Sequence, residues 1–340
     1  MVRTGPTTGA PGVDDGARFS DAILVRAARE YYENDATQAE VAALLGVSRP
    51  TVSRLLAEAK RRGIVRIEVV SPSGQSTEGL ATHLARALGL NTVYLSSPIP
   101  HGDPRIDVLT AMGPILAPTV SRALAAAGLL SGDVLLVSSG RTVYEVARNT
   151  LTPLPGVLVT PTVGGSDQPE GWYQTNEITR LVAERVEGRA NYLFAPALPG
   201  PDLHASLVED PSIQRVIHLW PHARCALMGV GAPPLTRSDI PRFVPMESTD
   251  LRRAVGDVCS RFFDREGEPV HFEGDDRLMA VSLEALRRIP VSIAVAVGAD
   301  KVESVIAGAR GGYFNRLVTD PGTAAEILSR VAPRAEEGTP

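Results

Sequence analysis

A short polar loop at residues 139–142 carries residue types that bind anions. Ser139, Gly140, Arg141 and Thr142 follow an apolar run at 134–137 and lead into a helical stretch. A strand-to-helix junction of this kind directs free backbone N–H groups and the positive end of a helix dipole to one point. The hydroxyls and the guanidinium would complete this anion site. Taken alone, the Gly-Arg-Thr motif favours an ordinary strand–helix turn, so both interpretations stay open.

Two further loops follow apolar runs in the same way. Gly164 and Gly165 come after the run at 156–160, and paired glycines let a ligand approach the backbone closely. Lys301 comes after the run at 292–297 and is one of two lysines among 34 basic residues. At a helix start a lysine opposes the helix dipole, which favours a bound anion as its partner. An exposed surface lysine is the alternative.

Asp264 and an aromatic pair are weaker candidates for the same ligand. Asp264 would accept hydrogen bonds from ligand hydroxyls, or it would belong to an exposed Asp-x-x-Gly turn. Trp172 and Tyr173 follow the double glycine, where they would cover a ligand or pack as ordinary core or surface residues. The histidines show no metal-ligand spacing, so we expect neither a metal nor a cofactor.

A basic stretch at residues 48–66 predicts DNA binding. It holds six basic residues and one acidic residue, in a chain whose net charge is −5. The start of a recognition helix reaches base edges, so we predict base or near-base contacts for Arg49, Thr51 and Arg54. The basic residues at 60–62 would meet phosphates. The alternative is a helical bundle whose charges form only a solvated face. The predicted DNA-contacting residues are Ser48, Arg49, Thr51, Ser53, Arg54, Lys60, Arg61 and Arg62.

The elements around this stretch fit a winged-helix-like helix-turn-helix domain. Thr37 and Glu40 form a capping box at the start of the second helix. Gly46 supplies the tight turn, Val47 pins the corner, and Ser48 caps the recognition helix. The predicted elements are helices at 20–33, 37–45 and 48–62, followed by a strand at 64–70.

The second half of the chain alternates strand and helix patterns. Continuous apolar strands separated by helices predict a doubly wound, mostly parallel α/β domain. Ligands of such sheets bind at the carboxyl ends of the strands, so all three loops can face one crevice. The predicted strands are 92–95, 134–137, 156–160, 192–195, 225–230 and 292–297, and the predicted helices include 103–127, 142–150 and 176–187.

The length of 340 residues favours two domains. No apolar run approaches the ~20 residues of a membrane span. The N-terminal residues lack the pattern of a secretory signal. Cys225 and Cys259 lie in apolar surroundings and are expected to be free thiols in a reducing cytoplasm. The predicted boundaries are a tail at 1–18, the DNA-binding domain at 19–70, a linker at 71–78, the second domain at 79–332 and a tail at 333–340.

Several segments resemble the SorC family of sugar-responsive bacterial regulators. The resemblance rests on TQAEVAALLGVSRPTVSRLLAEAKRRGIVRIEV at 37–69, GDVLLVSSGRTVYEVA at 132–147, VCSRFFDREGEPV at 258–270 and VGADKVESVIAGARGGYFNRLVTD at 297–320. The first segment is shared with other regulator families. The last, at this distance from such an N-terminus, is far more specific.

The resemblance implies a second domain that folds like sugar-phosphate isomerases and glucosamine-phosphate deaminases and binds a phosphorylated sugar. It also implies assembly as homodimers or homotetramers. One departure concerns Ser138 and Ser139, where family members often carry Trp-Gly, so that aromatic wall is missing here. The expected effector residues are Ser139, Gly140, Arg141, Thr142, Gly164, Gly165, Asp264 and Lys301.

The competing class is a sugar-phosphate isomerase or deaminase with an added DNA-binding head. Such chemistry needs a positioned general acid and base. Asp264 and Asp300 would be candidates, but no histidine–acid pairing stands near the loops. A regulator needs only binding that differs between two conformations. The sequence therefore predicts a regulator of a carbohydrate-metabolism operon, with double-stranded operator DNA and a sugar phosphate as partners.

Overall fold

The computed structural model describes residues 19–34, 36–65, 77–100, 108–237 and 239–331. The chain divides into two compact units, Met1–Pro72 and Ser73–Pro340. Several predicted features lie outside the described residues: both tails, residues 66–70 of the predicted strand, residues 71–76 of the predicted linker and the start of the helix at 103–127. The last two residues of the predicted linker, Thr77 and Glu78, already belong to a helix.

The first unit contains the predicted helix-turn-helix. Its helices are α1 (Asp21–Tyr32), α2 (Gln38–Leu45) and α3 (Arg49–Arg61). The capping box is present: Thr37 N–H donates to Glu40 Oε2 at 2.7 Å and Glu40 N–H donates to Thr37 Oγ1 at 3.3 Å. Gly46 ends α2 in the left-handed conformation, with φ of 65°. Leu24, Val52 and Leu55 are fully buried and join α1 to α3.

The second unit is a parallel sheet covered by helices. Its helices are α4 (Thr77–Leu88), α5 (Val108–Ala125), α6 (Arg141–Ala147), α7 (Thr175–Arg185), α8 (Pro201–Glu209), α9 (Pro211–Ile217), α10 (Leu283–Arg288), α11 (Val302–Arg310) and α12 (Pro321–Val331). Its strands are β1 (Thr92–Leu95), β2 (Val134–Val137), β3 (Leu158–Pro161), β4 (Arg189–Ala190), β5 (Ala223–Gly229), β6 (Gly256–Val258), β7 (Arg261–Phe263), β8 (Pro269–Val270), β9 (Val291–Val295) and β10 (Arg316–Thr319).

Seven of these strands form one sheet in the order β1-β10-β9-β5-β2-β3-β4, and every pair is parallel. Alternate residues of β2 enter different cores: Leu135 and Val137 pack with α5, α6 and α7, whereas Val134 and Leu136 pack with α4, α11 and α12. Both faces of the sheet are therefore covered, which confirms the doubly wound prediction. In the described ranges, no helix combines the length and apolar character needed to cross a membrane.

The predicted strand at 192–195 is wrong. The strand is the shorter β4, and the following segment is irregular. The side chain of Asn176 explains this, because it binds both backbone groups of Leu193: the amide Nδ2 donates to Leu193 O at 3.2 Å, and Leu193 N–H donates to Oδ1 at 3.0 Å. These groups are then unavailable to a sheet partner. Tyr192 and Phe194 are exposed, so their apolar character reflects no strand in the core.

A small antiparallel sheet, β6-β7-β8, was not predicted and bears on the site. Cys259 and Ser260 join β6 to β7 with φ of 53° and 62°. Two consecutive left-handed residues make the type I′ turn that suits hairpins but disfavours residues with a Cβ. A bridge between Gly231 and Asp257 attaches this sheet to the chain just beyond β5, with Gly231 N–H donating to Asp257 O at 2.9 Å. The hairpin turn consequently lies near the carboxyl end of the main sheet.

Candidate functional site

A cavity of about 90 Å³ lies at the carboxyl ends of β2 and β5. It adjoins a more open cleft of about 620 Å³. From β2 the chain runs outward through β3 and β4 and then returns to β5 on the other side of β2. The position between β2 and β5 is therefore a topological switch point, where neighbouring crossover loops diverge and leave a crevice. Ser139, Gly140, Arg141, Thr142 and Lys301 line the cavity.

The 139–142 loop is held by hydrogen bonds on both sides. Gly229 N–H, at the end of β5, donates to Ser138 Oγ at 3.0 Å, so this hydroxyl joins β5 to the start of the loop. Gly140 precedes α6 with φ of 116° and ψ of 152°, a region essentially restricted to glycine. Its N–H donates to Trp172 O at 2.8 Å. The loop is thus fixed before any ligand arrives, and the sequence-predicted residues 139–142 lie together.

Lys301 comes from the neighbouring crossover, after β9. Gly298 precedes the short helical turn Ala299–Lys301 with φ of 108° and ψ of 150°, nearly the conformation of Gly140. Burial lowers the pKa of Lys301, and the nearby positive charge of Arg237 lowers it further. Asp300, Asp239 and Asp257 oppose that shift. Within the described residues, no carboxylate forms an ion pair with the Lys301 ammonium.

A buried ion pair that the sequence did not reveal forms another wall. An Arg237 guanidinium nitrogen lies 2.8 Å from Asp257 Oδ1, and their side chains are 12% and 13% exposed. Asp239 Oδ1 lies 3.8 Å from the same guanidinium. Gly231 makes room for the pair, since a Cβ there would lie 1.9 Å from Asp257 Oδ1 and 2.0 Å from an Arg237 nitrogen. In the sequence, Gly231 was the one residue that could have indicated a close contact just beyond β5.

Trp172 supplies an aromatic wall in place of the Trp-Gly that the 138–139 positions lack. The Arg141 guanidinium carbon lies 4.0 Å from the centre of the Trp172 ring, a cation–π contact. The Tyr144 ring packs edge-on against Trp172 at 6.5 Å. Both Trp172 and Tyr173 line the cavity, so this aromatic pair lies at the candidate site.

The Cys259 thiol at the hairpin turn also lines the cavity but does not act as a nucleophile. Burial raises its pKa to about 12, so the thiol stays neutral at physiological pH. Both cysteines are free and buried, as expected. Among the described residues, no group of three or more histidine, cysteine or acidic side chains could hold a metal ion.

Gly164, Gly165 and Asp264 are not brought to this cavity. A Cβ at Gly164 would lie 2.6 Å from Ala195 O, so the double glycine admits a neighbouring backbone segment instead of a ligand. Gly165 N–H donates to Ala195 O at 2.8 Å. Asp264 Oδ1 accepts from Glu266 N–H at 3.1 Å and from Glu268 N–H at 2.9 Å. Its carboxylate thus stabilises the tight turn between β7 and β8, as the alternative interpretation held.

The N-terminal half of α3 presents the predicted DNA-binding surface. Arg49, Ser53 and Arg54 are exposed, and within the described residues neither arginine forms an ion pair. Ser48 and Thr51 have a structural task as well: Thr51 N–H donates to Ser48 Oγ at 3.3 Å, and their hydroxyls lie 2.8 Å apart. The cap therefore fixes the start of α3, while the two arginines remain available for DNA.

The C-terminal end of α3 serves the DNA-binding unit itself. Arg62 donates to Glu58 Oε1 at 2.6 Å and to Asp21 Oδ1 at 2.8 Å, and its hydrogen bond to Glu58 raises its pKa. This guanidinium ties α1 to α3, which favours a structural role over the predicted phosphate contact. The Lys60 ammonium lies 5.7 Å from the centre of the Tyr32 ring. Arg61 is the last residue of α3, and its side chain lies outside the described set.

Comparison with known proteins decides the family. A sugar-binding domain model matches residues 75–329, and a Crp-like helix-turn-helix model matches residues 18–72. The chain belongs to the SorC family of sugar-binding regulators. It is 30% identical over 314 residues to the sorbitol operon regulator of Klebsiella pneumoniae, covering 90% of this chain and 97% of that protein. It is 32% identical over 322 residues to the deoxyribonucleoside regulator of Bacillus subtilis, covering 92% and 99%.

Solved structures of SorC-family members agree with this assignment. The full-length sorbitol operon regulator SorC from Klebsiella pneumoniae superposes with a TM-score of 0.68 at 28% identity, over 92% of this chain and all of that one. Family membership confirms the combination of a helix-turn-helix with a mostly parallel α/β domain. It also confirms a transcriptional regulator over the competing enzyme class, since the matched relatives are regulators.

Proposed function

We propose that this SorC-family chain controls a carbohydrate-metabolism operon and that a phosphorylated sugar in the cavity at the ends of β2 and β5 sets its affinity for operator DNA. The observation that carries the proposal is Lys301, a partly buried ammonium whose pKa is lowered by burial and which forms no ion pair with the described residues. A buried charge without a partner is unfavourable. A phosphate group in the cavity would supply the missing counter-charge.

The rest of the cavity suits the sugar part of such a ligand. The Arg141 guanidinium stacks on Trp172, and no hydrogen bond to a described residue occupies its donors, which can bind phosphate oxygens. Asp257 and Asp239 present carboxylate oxygens that accept hydrogen bonds from hydroxyl groups. Trp172 offers an apolar face to the C–H groups of a sugar. The cavity thus offers cations that suit a phosphate group and carboxylates that suit hydroxyl groups, the two parts of a sugar phosphate.

The output of the proposed switch is DNA binding by paired recognition helices. We propose that the chain assembles as a homodimer or homotetramer, because two α3 helices must reach half-sites one helical turn or a multiple apart, about 34–36 Å. An effector that binds one arrangement of subunits more tightly shifts the population toward it. Such coupling typically amounts to about 1–3 kcal/mol. Since it acts on DNA, we place this activity in the cytoplasm.

Trp172 provides a direct test of ligand binding. The chain has two tryptophans, and Trp220 is buried with its indole donating to Pro161 O at 2.8 Å. We expect one or more members of a panel of pentose and hexose phosphates to change the tryptophan emission, because ligand phosphate draws Arg141 away from the Trp172 ring. Fluorescence titration, with the unphosphorylated sugars as matched controls, measures the effect.

The signal should survive in Trp220→Phe and vanish in Trp172→Phe. A panel in which the unphosphorylated sugars act as strongly as their phosphates would contradict the phosphate assignment. A panel in which no member changes the emission or the melting temperature of the wild-type protein would contradict the proposed site altogether.

The lowered pKa of Lys301 predicts a pH dependence. Bound phosphate favours the charged ammonium, so ligand affinity should fall as pH rises through the pKa of Lys301 in the free protein. Because burial lowers that pKa, the fall should begin below 10.5, the ordinary value for lysine. The other charged groups that face the ammonium are Arg237, Asp239, Asp257 and Asp300.

Affinities measured from about pH 7 to pH 10 in wild type and in Lys301→Arg provide the comparison. The arginine variant retains its charge and should show a flat profile over the alkaline range. Parallel profiles for the two proteins would show that Lys301 does not control ligand binding.

A further inference from the structure

The loop that carries Lys301 is held from behind by the start of α12. Gly298 N–H donates to Thr323 Oγ1 at 2.8 Å. The Thr323 hydroxyl in turn donates to Asp320 Oδ1. Asp320 and Thr323 are 1% and 4% exposed, and neither belongs to the described lining of the cavity. A chain of hydrogen bonds therefore runs from a buried carboxylate to the loop that presents the ammonium.

The Asp320 carboxylate determines which way the Thr323 hydroxyl points. A threonine hydroxyl has one proton to donate and two lone pairs that accept. Because its proton is directed to the carboxylate, Oγ1 presents its lone pairs to Gly298 N–H and accepts the observed hydrogen bond. Asp320 is itself fixed, since Oδ2 accepts from Gly322 N–H at 3.1 Å and Oδ1 accepts from Thr323 N–H at 3.3 Å. The acceptor behind Gly298 is consequently preorganised.

Gly298 makes the position of Lys301 sensitive to this contact. Its φ of 108° and ψ of 150° lie in a region that glycine visits among many others, so an external bond must select it. Lys301 N–H donates to Gly298 O at 3.1 Å, so one helical turn transmits the orientation of Gly298 to Lys301. The equivalent glycine of the other loop, Gly140, is held in nearly the same conformation by Trp172 O.

We propose that Thr323, oriented by Asp320, is a positioning residue that sets where the Lys301 ammonium lies in the cavity and thereby how tightly the site holds an anion. The inference rests on the proposed function for the identity of the ligand, but its geometric part does not. An ordinary helix cap at α12 would stabilise the protein without altering the surroundings of Lys301. The positioning role predicts that a Thr323 variant changes the surroundings of Lys301, whereas the helix-cap role predicts that it does not.

The two lysines of the chain make Lys301 observable by NMR. In a Lys60→Arg background, reductive methylation with ¹³C-formaldehyde labels Lys301 and the N-terminal amine, which differ in ordinary pKa. Loss of a signal in Lys60→Arg/Lys301→Arg assigns the Lys301 resonance. Its shift and its titration curve measure the surroundings of the ammonium, and titration with inorganic phosphate measures anion binding.

In this background, Thr323→Val should move the Lys301 resonance and its pKa toward the values of an exposed lysine. The phosphate concentration at half-saturation should rise about tenfold or more, an effect comparable with removing hydrogen-bonded partners behind metal ligands. Thr323→Ser keeps the hydroxyl and should restore both values. Thr179→Val is the matched control, because Thr179 is buried but donates to Thr175 O within α7. If Thr323→Val does not fold, Asp320→Asn serves in its place. It should change the Lys301 resonance and the phosphate affinity in the same direction by a smaller amount.

The outcomes separate the two proposals. A Lys301 resonance that stays unchanged in Thr323→Val and Asp320→Asn, while phosphate still shifts it, would overturn the positioning role and leave the proposed effector site intact. A resonance that moves in Thr323→Val and is restored in Thr323→Ser supports the positioning role even if no phosphate or sugar phosphate shifts it. If the resonance moves in Thr323→Val but no phosphate or sugar phosphate shifts it, the positioning role stands and the proposed function fails.

Discussion

Replacing Arg49 and Arg54 together with alanine should abolish sequence-specific DNA binding while the protein remains folded. Both side chains are exposed on the first turns of α3, and no ion pair within the described residues engages either of them. A well-formed bidentate arginine–base interaction contributes about 1–3 kcal/mol of discrimination. In the proposed homodimer or homotetramer, the double substitution removes two arginines from every recognition helix that the operator binds. Most of the specific binding energy should therefore disappear.

The measurement is fluorescence anisotropy with DNA selected by the wild-type protein from a random pool, alongside a thermal melt of each variant. Arg26→Ala is the matched control, because Arg26 is exposed in the same unit but lies on α1. Wild-type binding should also weaken steeply as salt is raised, since several phosphates release counterions. A double variant that binds the selected DNA as tightly as wild type would contradict the prediction and favour the alternative, in which these charges form only a solvated face of a helical bundle.

Replacing Lys301 with methionine should abolish the response to the sugar phosphate and leave DNA binding by the free protein unchanged. The methionine side chain fills similar space but cannot pair with an anion. A ligand at 100 times its Kd stabilises a protein by about 2.7 kcal/mol, which is easily seen as a rise in Tm. That rise should be present in wild type and absent in Lys301→Met.

The free Lys301→Met protein should melt no lower than wild type, because burial disfavours the charge that the substitution removes. Arg330→Met is a suitable control, since Arg330 is a half-exposed cation on α12 that pairs with Glu326. Equal stabilisation of Lys301→Met and wild type by the same ligand would place the anion elsewhere.

Local chemistry made the DNA-binding unit predictable. The capping box of Thr37 and Glu40 and the left-handed turn at Gly46 depend on residues close together in the chain, so their spacing specifies the structure. The continuous apolar strands β1 and β2 were predicted with the observed bounds for the same reason. Ser139–Thr142 and Lys301 were predicted together because parallel strands bring their carboxyl ends to one edge.

The cavity walls that were missed depend on interactions between distant segments. The Arg237–Asp257 pair forms only after the small antiparallel sheet attaches beyond β5, and strands of two or three residues have almost no periodic signal. The double glycine at 164–165 was expected to contact the effector, but in the structure Gly164 lies against the backbone of Ala195 and Pro196. A glycine pattern shows that something approaches the backbone closely, but it does not distinguish a ligand from the carbonyl of Ala195.

The central claim joins the cavity to the DNA, and one equilibrium measurement tests it most directly. The apparent Kd for selected operator DNA is measured with and without a saturating sugar phosphate, in wild type and in Lys301→Met. We predict that one sugar phosphate changes the wild-type Kd by about 5- to 150-fold, the usual range of allosteric coupling, and leaves the variant unaffected. A wild-type Kd that no sugar phosphate changes, or an equal change in Lys301→Met, would contradict the account.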